Sequence, residues 1–176
     1  MYKRQSRFIQ RRPGWSAFVA VGFLLLLAVP LFSIRLGFGD AGNAPEDQTV
    51  RKAYDMLAEG FGAGSNGPLF VTVQGETASD PEALGAFVQT LDAVDNVAFS
   101  VPNPISDDLA LVIVYPQSAP QDEATTNLVN DLRHDVIPQT GVDAKVGGFT
   151  AGSTDFAAYL KGRMPWLIGV VLLLSF

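Results

Sequence analysis

Two apolar stretches flank a region in which hydrophobic and polar residues alternate. The first runs from Trp15 to Ile34, twenty residues that are nearly all apolar, about the length that crosses a bilayer as a helix. It exceeds the roughly 7–15 apolar residues of a signal peptide and is followed by no small-x-small cleavage site, so we expect an uncleaved transmembrane helix. The second runs from Trp166 to Phe176 and covers roughly half of a bilayer. We therefore expect a truncated second helix and a chain that is one piece of a larger membrane protein.

The distribution of charge predicts the orientation of these helices. Lys3, Arg4, Arg7, Arg11 and Arg12 precede the first apolar stretch, whereas every Asp and Glu lies between residues 40 and 155. Basic residues beside a transmembrane helix favour the cytoplasmic side. We expect a cytoplasmic basic segment (1–14), a transmembrane helix (15–34), an extracytoplasmic domain (35–160) and the start of a second transmembrane helix (161–176). This arrangement predicts a multi-pass protein of the plasma membrane.

The middle region contains four strand patterns and three helix patterns. Runs rich in β-branched and aromatic residues predict strands at 68–74, 97–101, 109–115 and 143–149. Apolar residues at helical spacing predict a helix over 47–59 and two more behind the capping boxes Ser79–Glu82 and Ser118–Gln121. We also expect Ser153 or Thr154 to cap the last helix and Pro165 to kink it.

The resulting order of elements, βαββαβ, is the ferredoxin-like pattern, an α+β fold with two helices on one face of an antiparallel sheet. Strand 109–115 is the most apolar, so we expect it inside the sheet with Ile113 as a candidate core residue. The second face of the sheet needs a cover. The helix over 47–59 and another domain both remain open as that cover.

Composition excludes several classes of function. The chain has no Cys and one His, so it contains no disulfide and cannot supply a zinc site. Its net charge of −6 argues against nucleic acid as a partner. The basic segment before residue 15 is suited to contact anionic membrane lipids, with each Lys or Arg contributing about 1 kcal/mol.

Three residue groups resemble functional motifs, and each has a structural interpretation that we favour. Residues 62–67 match GxGxxG but follow a helix and precede a strand, the reverse of a dinucleotide loop, which indicates a flexible turn. Asp40, Asn43, Glu46 and Asp47 lack the alternating ligands of a calcium loop and are suited to helix capping and a charged first helical turn. His134, Ser153 and Asp155 lack the nucleophile-elbow sequence of a hydrolase triad. We therefore assign no catalytic, cofactor-binding or metal-binding residue, leave the substrate-binding residues unassigned, and expect a protein that is not an enzyme.

Several stretches resemble the MmpL family, large actinobacterial membrane proteins of the resistance–nodulation–division superfamily. The most specific stretch begins with Asp40-Ala-Gly-Asn43 and ends with Asn66-Gly-Pro-Leu69. The similar segments together cover nearly the whole chain: residues 11–13, 36–45, 51–69, 116–125, 128–129, 132–133, 146–151 and 155–156. The resemblance is to the start of the second half of such a protein.

The resemblance implies a porter domain of an exporter of lipids or other hydrophobic molecules, driven by protons. It implies a domain that serves as a substrate conduit or docking surface, with no cofactor. Its implied partners are membrane lipids, the remaining spans and the other porter domain of the parent protein, with a homo-oligomer left open. The apolar stretches contain no Asp, Glu, His or Lys, so no proton-coupling residue is assigned. The alternative is a two-span sensor or scaffold module without transport activity.

Overall fold

The computed structural model describes residues 13–30 and 39–175. The chain divides into two compact units, Met1–Arg35 and Leu36–Phe176, which we describe separately. In the first unit, helix α1 covers Pro13–Ala28 and is apolar over Phe18–Ala28, with Phe18 and Leu25 largely exposed. The basic residues before it and residues 31–34 of the predicted span lie outside the described residues.

The second unit contains a four-stranded antiparallel sheet. Its strands are β1 (Leu69–Gln74), β2 (Val97–Ser106), β3 (Leu109–Pro116) and β4 (Ala144–Gly147), in the spatial order β2-β3-β1-β4. β3 is antiparallel to both β1 and β2, so β1 and β2 run in the same direction with β3 between them. The predicted α+β class and the central position of strand 109–115 are confirmed.

Helical segments connect the strands. Helix α2 covers Thr49–Phe61 and leads through a 3₁₀ turn, Ala63–Asn66, into β1. A short helix α3 (Glu76–Ser79) and α4 (Pro81–Asp92) connect β1 to β2. Between β3 and β4, residues 123–140 form one helical run that consists of α5 (Glu123–Asp131), a π turn (Leu132–Val136) and α6 (Ile137–Thr140). Helix α7 covers Phe149–Leu174.

Both predicted capping boxes are wrong. Asp80 caps α4, with its Oδ1 accepting from the Glu82 N–H at 2.9 Å, whereas Ser79 ends α3. Pro81 explains the difference, because proline favours the first position of a helix and holds the preceding residue in the extended conformation of a cap. Helix α5 begins after Asp122, and the Ser118 hydroxyl instead lies 2.6 Å from a hydroxyl of α5.

The core lies on one face of the sheet. Side chains alternate along each strand, and on this face Val71, Val73, Val112 and Val114 are completely buried. Helices α4 and α5 and the π turn cover them with buried apolar residues: Leu84, Phe87, Leu91, Leu128, Val129 and Leu132. Ile113 lies on the opposite face and is only half-buried, so its predicted place in the core is wrong.

Strand β2 is longer than predicted and contains two prolines. We expected residues 97–101, but pairing with β3 continues through Pro102 and Pro104 to Ser106. A central strand uses its backbone N–H groups in hydrogen bonds to the neighbouring strands on both sides, and proline has no N–H to donate. β2 is an edge strand, so it accommodates both prolines while pairing on one side only.

Helix α7 begins immediately after β4. Gly148, with φ +98°, precedes its first residue, and the helix continues through Pro165. The predicted caps are wrong, because Ser153 and Thr154 lie inside α7 and donate to the Thr150 carbonyl. By length and composition, α7 is the one helix among the described residues that meets the requirements for crossing a membrane.

A pair of neighbouring substitutions tests the one-sided core. Val112→Asp should cost at least about 4 kcal/mol of unfolding free energy, because the new carboxylate has no partner in the core. Ile113→Asp should cost about 1–2 kcal/mol, because its side chain reaches water. Urea unfolding in detergent measures both values. Equal losses for the two variants would contradict the assigned register.

Candidate functional site

The glycine-rich turn between α2 and β1 is packed tightly against two other segments. A Cβ on Gly64 would overlap the carbonyl oxygen of Pro116, and a Cβ on Gly67 would lie 2.5 Å from a Pro120 side-chain atom. Glycine is therefore required at position 64 because the backbone of Pro116 approaches closely, and at position 67 because the side chains of Pro120 and Thr150 do. The turn lies between a helix and a strand as predicted, and close packing accounts for its match to GxGxxG.

Hydrogen bonds connect this turn to distant parts of the chain. The buried Thr150 hydroxyl at the start of α7 donates to the Gly67 carbonyl at 3.0 Å. The Asn66 side-chain amide donates to the Tyr54 carbonyl in α2, also at 3.0 Å. We call the assembly the motif junction, defined by residues 40–43, 51–54, 62–68, 116–121 and 146–151.

The polar residues before α2 bind the chain itself. Asp40 caps the 3₁₀ turn Ala41–Asn43, and its Oδ1 accepts from the Gly42 N–H at 2.9 Å. The Arg51 guanidinium donates to the Gly42 carbonyl and pairs with Asp55. The Asn43 amide donates to Gln121 at 3.3 Å. Asp40 Oδ1 and the Gly42 carbonyl are therefore bound within the chain, and Asn43 contributes its amide nitrogen, which cannot ligate calcium.

Two other acidic residues do not have the role we expected. Glu46 and Asp47 are exposed, and the first turn of α2 contains no acidic residue, so their predicted place in a charged first turn is wrong. No group of three or more His, Cys, Asp or Glu suited to a metal ion occurs within residues 13–30 and 39–175.

Tyr54 occupies the centre of the polar part of the junction. A Cβ on Gly42 would lie 3.0 Å from its ring, so glycine at this position lets the 3₁₀ turn approach α2. Partial burial raises the pKa of the Tyr54 hydroxyl, and the Asp40 carboxylate raises it further because it opposes a second negative charge.

The three residues considered as a hydrolase triad have separate partners. His134 is exposed, and its Nδ1 lies 2.9 Å from the Asn130 carbonyl. The Ser153 hydroxyl donates to the Thr150 carbonyl, and Asp155 pairs with Arg133. The structure therefore does not bring a nucleophile, a base and an orienting carboxylate together.

A second surface is the face of the sheet opposite the core. We call it the open sheet face, and it consists of Phe70, Thr72, Phe99, Val101, Asn103, Leu111, Ile113, Tyr115 and Lys145. Val101, Ile113, Phe70 and Gly147 are paired across all four strands and form one apolar row. Beside this row, the rings of Phe99 and Tyr115 stack with centroids 4.6 Å apart. Phe70, Val101 and Phe99 are 39%, 43% and 45% exposed.

The open sheet face changes in polarity along its strands. Its apolar row crosses β4 at Gly147, next to the start of α7. The next row away from α7 is more polar, because it contains Asn103, Thr72 and Lys145 beside Leu111. Helix α2 contacts the 3₁₀ turns at 41–43 and 63–66. The apolar side chains of the face remain partly exposed, so α2 does not bury them.

The chain is similar to curated membrane proteins over nearly its whole length. No protein-family model matches the chain. Membrane protein YdfJ of Bacillus subtilis is 33% identical over 97% of this chain and 24% of its own length. Mycolic acid-containing lipids exporter MmpL11 of Mycolicibacterium smegmatis is 29% identical over 98% of the chain and 20% of its length. Probable transport protein MmpL11 of Mycobacterium leprae is 24% identical over 96% of the chain and 18% of its length.

The chain resembles two relatives named MmpL11 over nearly its whole length, which supports a segment of an MmpL-type membrane protein. It spans a quarter or less of the length of these curated relatives. Relatives named as membrane proteins support a membrane location, and the two MmpL11 relatives are named for transport rather than for an enzymatic reaction. The motif junction lies within the MmpL-like stretches recognised in the sequence, and its hydrogen bonds join residues 78 and 83 positions apart.

Substitution of two glycines tests the motif junction. Gly64→Ala should cost about 1–3 kcal/mol of unfolding free energy or more, because its methyl group would displace the backbone at Pro116. Gly60→Ala is the matched control, since a Cβ there meets open space within helix α2. Alanine at position 60 should be neutral or should stabilise by up to about 1 kcal/mol. An equal response of the two variants in thermal unfolding would contradict the close packing.

Proposed function

We propose that this chain forms the extracytoplasmic porter domain and flanking membrane helices of an MmpL-type exporter of lipids or other hydrophobic molecules. In this proposal the open sheet face is the conduit or docking surface for the cargo. The observation that carries the proposal is the apolar row from Val101 to Gly147, which is exposed at the end of the sheet from which α7 leaves. An apolar chain that leaves the bilayer beside α7 would meet this row before the polar one.

The strand order supports a ferredoxin-like porter fold. Two connections that contain helices, β1 to β2 and β3 to β4, pack on the same face of an antiparallel sheet with order β2-β3-β1-β4. This is the split βαβ arrangement repeated twice. One-sided packing leaves the other sheet face available to cargo.

The distribution of charge supports a topology with a cytoplasmic N-terminus and an exported domain. Five basic residues precede α1, and every Asp and Glu lies between residues 40 and 155, before the apolar part of α7. In α7, Arg163 lies over the ring of Tyr159 at 5.0 Å, one helical turn before the apolar segment. Aromatic and basic residues of this kind favour the headgroup region of a plasma membrane.

We further propose that the complete exporter is driven by protons, as the family resemblance implies. Alternating access requires bundles of helices that move against each other around a site. The partners of this segment would be membrane lipids, further spans and a second porter domain of the same protein. Homo-oligomerisation of the exporter is an additional arrangement. The name of the M. smegmatis relative, an exporter of mycolic acid-containing lipids, favours this function over a sensor or scaffold.

Cysteine modification in intact cells tests the side of the membrane and the conduit together. Val101→Cys and Lys145→Cys are placed singly in a cysteine-free MmpL exporter that carries this segment. A charged, membrane-impermeant thiol reagent should modify both positions. Export should fall about tenfold or more for the Val101 variant only. A charge on the apolar row should raise the free-energy barrier to cargo passage by at least about 1.4 kcal/mol.

The two parts of the proposal fail differently. Absence of modification at both positions would contradict the exported location. Modification at both positions with unchanged export would contradict the conduit. Equal inhibition at both positions would show that the apolar row has no special role.

A further inference from the structure

A proline shapes the helical run that follows β3. Pro138 has no backbone N–H, and its ring excludes the α-helical position of the carbonyl four residues earlier, that of His134. The run adapts through the π turn Leu132–Val136, in which the Ile137 N–H donates to the Leu132 carbonyl five residues back. A π turn inside an α-helix changes the direction in which the preceding side chains point.

The π turn presents Arg133 to two other elements. Both terminal nitrogens of its guanidinium donate to the Asp155 carboxylate in α7, and the Nη2–Oδ2 distance is 3.0 Å. The same Nη2 donates to the Val146 carbonyl in β4 at 2.8 Å. One planar side chain therefore joins the helical run, the sheet and α7. Two parallel bonds to a carboxylate fix orientation as well as distance.

The ion pair lies where α7 leaves the folded domain. Thr150 and Ala151 in its first turn are buried, and Asp155 follows Ala151 by four residues, on the same side of the helix. Residues 161–175 are all exposed in the described structure. Asp155 is thus anchored between the buried start of α7 and its apolar segment.

We propose that Pro138, the π turn and the Arg133–Asp155 pair form one coupling device. The device fixes the direction in which α7 leaves the domain and transmits displacements of the helical run to α7. It does not depend on the open sheet face being the conduit, but it does depend on α7 being the helix that enters the membrane.

Because the Arg133–Asp155 ion pair is partly exposed, we expect it to affect the direction of α7 more than the free energy of unfolding. The Arg133 and Asp155 side chains are 25% and 57% exposed, and exposed pairs of this kind contribute little to unfolding free energy. Loss of the pair should therefore widen the range of α7 directions, while the melting temperature falls by no more than about 2–4 °C.

Distance measurements between two spin labels on the full chain in lipid nanodiscs test this proposal. The chain has no native cysteine, so Gln89→Cys in α4 and Gly162→Cys in α7 give two unique labels. Both residues are exposed, and a side chain at position 162 meets open space. Without any further substitution, the chain labelled at positions 89 and 162 should give one narrow distribution of distances.

Three variants in this background separate the proposal from a merely structural role. Asp155→Asn should broaden the distribution, because it removes the charge that holds Arg133. Asp155→Glu, which keeps the charge, should retain most of the narrow distribution. Asp135→Asn is the matched control in the same π turn and should leave the distribution unchanged.

Pro138→Ala tests the proposed cause of the π turn. It should broaden the distribution as Asp155→Asn does, and the double variant should be no broader than either single variant, because both changes act through the same contact. The proposal would be overturned if Asp155→Asn left the width of the distance distribution unchanged, or if the double variant broadened it additively. It would also be overturned if Asp155→Asn lowered the melting temperature by well over 4 °C.

Discussion

Burial of alternate side chains on one face of the sheet is the constraint on which the rest of this domain depends. In β1 and β3, Val71, Val73, Val112 and Val114 lose all contact with solvent against α4 and the helical run. Because side chains alternate along a strand, the same packing places Phe70, Ile113 and Tyr115 on the opposite face. The domain therefore has a closed core and, on its other side, an apolar surface that the described residues leave partly exposed.

The motif junction supports this arrangement at the end of the sheet nearest α7. Glycines at positions 64 and 67 let the turn before β1 contact the segment after β3, and Thr150 binds the same turn from α7. The first turn of α7 is thus fixed to the turn that leads into β1, the strand that contributes Phe70 to the apolar row. Because one set of contacts places both, the start of α7 and the apolar row have a fixed relation within the folded unit.

The α+β class and the order of strands and helices along the chain could be predicted from sequence because β-branched runs and helical periodicity are local signals. Which face of β3 packs into the core could not be predicted, because both sets of alternate residues in Leu109–Pro116 are apolar. The caps were misplaced because Ser79 and Ser118 fit the capping pattern, whereas Pro81 and the turn before Asp122 decided where the helices begin. The Arg133–Asp155 pair joins residues 22 positions apart, and the sequence contains no local signal for it.

Light-activated cross-linking at single positions of the open sheet face tests the central claim most directly. A photoreactive phenylalanine analogue replaces Phe70 in an MmpL exporter that carries this segment, and the same analogue replaces Gln89 on the exposed side of α4 as the control. Illumination during export should link lipid to position 70 and leave position 89 without lipid. Equal lipid adducts at both positions, or none at position 70 while export proceeds, would contradict the assignment of the open sheet face as the cargo surface.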